Sequence, residues 1–100
     1  MIKVSVMYPN GPEVVFDAHY YQTVHLPMVA QALGTALKGM ELDLALPEEA
    51  APYSAIAHLK FDDRASFQNS FGPNAATFAA DLKNYSSVQA QIQISNLIVF

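Results

Sequence analysis

Tyr53-Ser54-Ala55-Ile56-Ala57-His58-Leu59-Lys60-Phe61 alternates without a break. Successive side chains of a strand point to opposite faces, so Ala55, Ala57, Leu59 and Phe61 share one side and Ser54, Ile56, His58 and Lys60 the other. The same period recurs on both flanks. Ile2, Val4, Val6 and Tyr8 alternate with Lys3, Ser5 and Met7, and Met40, Leu42 and Leu44 with Glu41 and Asp43. The charged side of the latter strand predicts an edge position. Val88 to Phe100 reads as one long final strand. Between the first two strands, Pro9-Asn10-Gly11-Pro12 makes a turn and Asp17 begins a helix as its N-cap. Phe16 and Tyr21 have the spacing of a hydrophobic staple. Tyr21, Val24, Met28 and Ala32 follow along one side, Pro27 predicts a kink or division, and Gly34 an end. Leu46–Pro52 reads as a loop. A second helix starts at Asp62 or Asp63, carries Phe67 and Phe71, breaks at Gly72-Pro73, and restarts at Asn74 with Phe78 and Leu82 four apart. The order β-α-β-β-α-β in 100 residues predicts one domain over 1–100. Its class is α+β and ferredoxin-like: a four-stranded antiparallel sheet with two helices on one face.

The core face is expected to hold Ile2, Val4, Val6, Ala55, Ala57, Leu59, Phe61, Ala90, Ile92 and Ile94. The other face carries Lys3, Ser5, Met7, Ser54, Ile56, His58, Lys60, Gln89, Gln91, Gln93 and Ser95. It is too apolar at its centre for a face open to water and too polar for a second core. Charged residues make up only 14% of the chain, a small share for keeping a small monomer wet. Both features predict a homodimer in which two sheets face each other as an α/β barrel. A polar, solvated face is the alternative.

The net charge of −4 and five scattered basic residues predict no nucleic-acid partner, because no basic stripe follows a phosphate backbone. The absence of cysteine removes disulfides, thiolate catalysis and zinc–thiolate sites. Met1-Ile2-Lys3-Val4 opens directly into a strand, and no apolar run approaches membrane-spanning length. The expectation is a cytoplasmic protein with no membrane partner. There is no Gly-rich phosphate loop, nucleophile elbow or His-Glu-x-x-His. No metal or cofactor is expected.

His25 is the leading candidate for chemistry. Tyr21 lies one helical turn earlier, so the two side chains are neighbours, and imidazole beside phenol suits proton transfer at an enolisable carbonyl compound. A structural His held by one hydrogen bond, with Tyr21 serving only as the staple, is the competing reading. Tyr8 ends the first strand on the helix side, at a candidate pocket mouth, and Phe78 is a second candidate ligand contact on a core-like phenylalanine spacing. His58 falls on the dimer face. His19 sits about 240° around the helix from His25, too far round to share a metal with it.

Phe16-Asp17-Ala18-His19-Tyr20-Tyr21-Gln22-Thr23-Val24-His25-Leu26-Pro27-Met28-Val29 resembles the signature of the EthD-like proteins, most specifically in Tyr-Tyr-x-x-x-His-x-Pro. Asp81-Leu82-Lys83-Asn84-Tyr85-Ser86 and Gln91-Ile92-Gln93-Ile94-Ser95 are similar to its late part. The resemblance implies the dimeric α/β-barrel group, with a pocket between sheet and helices in each subunit. Relatives in that group include isomerases, polyketide cyclases and cofactor-free monooxygenases. It implies a protein that binds a small apolar or aromatic, oxygen-bearing metabolite in a degradative pathway. Within that frame stand a cofactor-independent isomerase or lyase using His25 and Tyr21, a non-catalytic ligand-binding or accessory module, and a cofactor-free monooxygenase.

Overall fold

The computed structural model describes residues 1–100. The decisive stretch forms strand β3, Tyr53–Phe61, whose burial alternates as its sequence does, with Ala55, Ala57, Leu59 and Phe61 all buried. β3 pairs antiparallel with β1, Ile2–Pro9, in the register Val4↔Leu59 and Val6↔Ala57. β2, Gly39–Leu44, flanks β3, and β4, Gln91–Asn96, flanks β1, so the order is β2-β3-β1-β4. β2 is an edge strand, as its charged side predicts. The helices of the two β-α-β halves cover one face, giving the expected ferredoxin-like plan.

The first helix holds three geometries in one rod. Asp17 caps α1, Ala18–Tyr20, by accepting from the Tyr20 amide at 3.0 Å. Tyr21–His25 widens into a π-helical turn, and α2, Leu26–Leu33, completes the rod, with helical backbone angles at each junction. Pro27 lies in the first turn of α2 and has no N–H to give to the preceding turn, so the ladder is already broken where it widens. Gln22 Nε2 donates to the Ala18 carbonyl and Thr23 Oγ1 to the His19 carbonyl, meeting groups loosened by the wide turn. The expected Pro27 kink is thus absorbed before the proline. Gly34 ends the rod at φ +58°, a conformation that costs glycine little.

The second helical segment divides where Gly72-Pro73 stands. Asp63 caps α3, Arg64–Phe71, by accepting from the Ser66 amide at 2.7 Å. A 3₁₀ turn, Gly72–Asn74, leads to α4, Ala75–Ala80, and another, Leu82–Asn84, follows. Asn74 stands at the start of α4, but its side chain donates backward to the Ser70 carbonyl rather than capping.

Three expectations are corrected. The final strand is six residues long rather than Val88–Phe100, because Asn96 pairs with Ile2 at the start of β1 and beyond it only the Leu97 amide still donates to the Met1 carbonyl, at 3.1 Å. Ile92 and Ile94 stand opposite Val6 and Val4 on the helix-side face, yet they are 58% and 36% exposed. The helices do not reach over this edge strand. Gln89 is not on the outer face: it precedes β4, escapes the alternation, and turns to the helix side. The outer face also gains what β2 brings. Glu41 lies opposite His58 and Asp43 opposite Ile56, forming Lys60–Glu41 and His58–Asp43 pairs of 3.2 and 2.8 Å. That face is more charged than its other three strands suggest, but Lys60 and Glu41, and His58 and Asp43, pair within it, leaving Lys3 outside these pairs.

Candidate functional site

The core has two halves. Val4, Val29, Leu33, Leu59, Phe61 and Phe78 fill one, and Tyr8, Tyr21, Leu26, Ala57 and Tyr85 form the other. A cavity of about 360 Å³ opens among them, between sheet and helices. Ala57, Ala75, Ala79 and Ala90 stand along its wall, where larger side chains would have filled it. Fifteen of its seventeen lining residues are hydrophobic; His25 and Gln89 are the exceptions.

All four residues named from the sequence meet here: His25, Tyr21, Tyr8 and Phe78 line the cavity and all are buried. Tyr8 sits inside the pocket rather than at its mouth, with its hydroxyl 2.8 Å from that of Tyr85. The π turn places the Tyr21 and His25 rings nearly parallel, 13° apart, at 5.2 Å between centroids. Phe16 packs against Tyr21 at 5.2 Å, the expected staple contact. His19 is exposed, and His58 lies on the outer sheet face with Nε2 on Asp43 and Nδ1 buried without a partner.

The sequence reading named neither Asp81 nor Tyr85 as a site residue. Asp81 follows α4 and places Oδ2 2.9 Å from His25 Nδ1. Its Oδ1 accepts from the Tyr20 hydroxyl at 2.7 Å and from Asn84 Nδ2 at 2.8 Å. Desolvation pushes the Asp81 carboxyl up, but the donors Asn84, His25 and Tyr20 outweigh it and hold the carboxyl below its ordinary range. Asp81 therefore stays an anion and an acceptor. That fixes the His25 proton on Nδ1 and makes Nε2 an acceptor on the other side, where the Tyr85 hydroxyl donates to it at 3.4 Å. Tyr20 is raised by the same carboxylate through its hydrogen bond.

Chain pairing holds this arrangement together. Asp17 donates its amide to the Tyr85 carbonyl at 2.7 Å, and Ser87 donates its amide to Val15 at 3.0 Å. The start of the first helix is thereby fastened to the segment that carries Tyr85. Burial, then the neighbouring Tyr8, drives the Tyr21 pKa far up, and burial and Tyr8 do the same for Tyr85. Both phenols are neutral donors in this pocket. The Tyr21 hydroxyl lies beside that of Tyr8, whose hydrogen bonding helps keep it protonated, and Tyr21 lines the cavity. The segment Asp81–Ser86, similar to the late part of the EthD-like signature, holds both residues and is the sequence signal that could have found them.

A ferredoxin-like sheet, a helix-covered apolar pocket and a carboxylate-held histidine within it define the class. The EthD domain model matches residues 16–89, and the chain belongs to that family. It is similar to an EthD-like protein from Ralstonia eutropha JMP134, with 30% identity over 98% of this chain and 92% of that one, at a TM-score of 0.90. An EthD family protein from Bacillus halodurans C-125 shares its fold at 15% identity and a TM-score of 0.74, over 98% and 99% of the two chains. So does a dimeric ferredoxin-like protein of unknown function from Thermobifida fusca YX, at 12% identity and 0.61, over 96% and 89%. No curated protein matches the chain. No helix is long and apolar enough to cross a membrane.

Proposed function

We propose that this protein binds a small, apolar, oxygen-bearing metabolite and moves a proton on it without a cofactor, as an isomerase or lyase. The carrying observation is the Asp81–His25 pair at 2.9 Å, which leaves His25 Nε2 as a base at the wall of an apolar cavity. In an isomerisation, Nε2 takes a proton from the carbon beside a carbonyl. Tyr21 donates a hydrogen bond to the oxygen as negative charge grows there, and, in the dienolate of an unsaturated ketone, the imidazolium returns the proton to the γ-carbon as the double bond shifts. Atoms balance with no co-reactant. Asp81 stabilises the imidazolium while it exists. A solidly filled interior would have favoured a non-catalytic module; the cavity beside both polar groups favours proton transfer. The reaction is tested by deuterium uptake in D₂O next to the carbonyl of 1-tetralone, an enolisable bicyclic ketone. Uptake above the buffer rate is expected, and none would count against this chemistry.

The same reading includes a homodimer through the outer sheet face, and the degradative, cytoplasmic setting expected from the sequence. The dimeric Thermobifida fusca relative supports the dimer. So does the face itself: Met7 lies opposite Ile56 at its centre, and the paired charges around them leave little net charge to repel a twin. Light scattering at micromolar concentration should return twice the chain mass of 10.9 kDa. Met7→Lys should shift the mass to the monomer, because two buried unpaired lysines would face each other across the dyad. A wild-type monomer would remove the dimer from the account.

A further inference from the structure

We infer that the ligand is an uncharged cyclic ketone whose carbonyl oxygen docks on the Tyr21 hydroxyl, and that the pocket rejects carboxylates and phosphates. The inference rests on the proton-transfer reading and sharpens it to a ligand class.

The pocket wall holds no lysine or arginine. The charged group nearest its polar wall is Asp81, bonded to the far side of the His25 ring, and it is negative. An anionic ligand would give up its water with no countercharge to meet and a carboxylate one ring away. A neutral ligand meets neither cost. The surfaces on offer are the rings of Tyr8, Tyr21, Phe71, Phe78 and Tyr85. Flat, weakly polar faces and edges of this kind suit a ring compound. A cavity of about 360 Å³ lies at the small end of the usual range for ligand sites, so the occupant is a compact molecule.

The polar inventory selects the oxygen. Tyr8 and Tyr85 bond each other at 2.8 Å, Tyr20 is bound to Asp81, and His25 Nδ1 is committed to the same carboxylate. Tyr21, whose hydroxyl neighbours the already bonded Tyr8, is the phenol of this cluster most readily turned to a ligand. The residue is 1% exposed, it lines the cavity, and burial keeps its hydroxyl protonated. A bound carbonyl oxygen gives that donor an acceptor of its own inside the apolar pocket. His25 stacks against the same ring, so a carbonyl held by Tyr21 brings its neighbouring carbon to the imidazole.

Titration calorimetry of the full chain with 1-tetralone, tetralin and 1-naphthoate at pH 8 separates the possibilities. These probes share a bicyclic frame and carry a carbonyl, no oxygen and a carboxylate respectively. The wild type should bind 1-tetralone about 3- to 10-fold more tightly than tetralin, the worth of one neutral hydrogen bond. It should bind 1-naphthoate at least about 10-fold more weakly than 1-tetralone. Tyr21→Phe should erase the margin of ketone over hydrocarbon while leaving tetralin binding in place. Naphthoate binding as tight as the ketone, a ketone margin that survives Tyr21→Phe, or no ketone binding at millimolar concentration would each overturn the inference. The wild-type ranking is informative even if the variant folds poorly. Selective ketone binding with no deuterium uptake would refute the proton-transfer reading and leave the ligand class standing.

Discussion

His25→Gln should slow deuterium uptake into 1-tetralone by about 10²–10⁴-fold, the usual worth of a positioned general base. Glutamine has no basic nitrogen, so nothing at position 25 can accept the carbon-bound proton. It does keep an amide N–H that can donate to Asp81, whose carboxylate already accepts from Tyr20 and Asn84. The fold should therefore lose less than about 1 kcal/mol, because no buried acceptor is orphaned. Ketone binding should survive, since Tyr21 and the aromatic walls are untouched. If His25 were only a structural donor, the pattern would invert: exchange would match the wild type and any loss would be one of stability. One melting curve and one exchange rate on the same variant distinguish the two.

Phe61→Ala should cost about 3–5 kcal/mol, the range for emptying a buried aromatic site. Phe61 ends β3, is fully buried, and packs edge-on against Phe67 at 5.2 Å centroid separation. It belongs to the half of the core away from the tyrosines and does not line the cavity. The void would open among Val4, Val29 and Leu33, side chains fixed by strand and helix that cannot collapse far. Since a domain of this size holds only about 5–15 kcal/mol in all, the variant should be markedly less stable to urea while retaining ketone binding in the absence of denaturant. A loss below about 1 kcal/mol would mean that the helix layer does not rest on this strand as described.

Period-two alternation on β3 and β1 was enough to place the sheet and its two faces, since a strand with one buried side leaves little freedom of register. Asp17, Asp63 and Gly34 marked helix ends because capping is chemistry within a few residues. What the sequence hid was tertiary. Asp81 and His25 are 56 positions apart, and an aspartate after an alanine-rich helix reads as a solvated helix end. The π turn depends on Pro27, but a proline in a helix signals only that some bond is missing, not where the turn will widen. Ile92 and Ile94 followed the core pattern and still remain partly exposed, because whether a helix reaches over an edge strand is decided by the helix layer. Gln89 was misplaced for a simpler reason: alternation was extended past the point where β4 begins. The alanines of the pocket wall read as ordinary core and helix residues, and only assembly shows that together they leave a space.

The proposed chemistry turns on one proton. Asp81 is held as an anion, so His25 must carry its hydrogen on Nδ1 and present an unprotonated Nε2 to the pocket side. Long-range ¹H–¹⁵N correlation NMR of the imidazole, at a pH where the ring is neutral, reads this directly. The predicted spectrum has a protonated Nδ1 and an unprotonated Nε2, a pattern that loses its single-tautomer character in Asp81→Asn. A His25 ring with its proton on Nε2 in the wild type would contradict the account, because no base would then face the ligand.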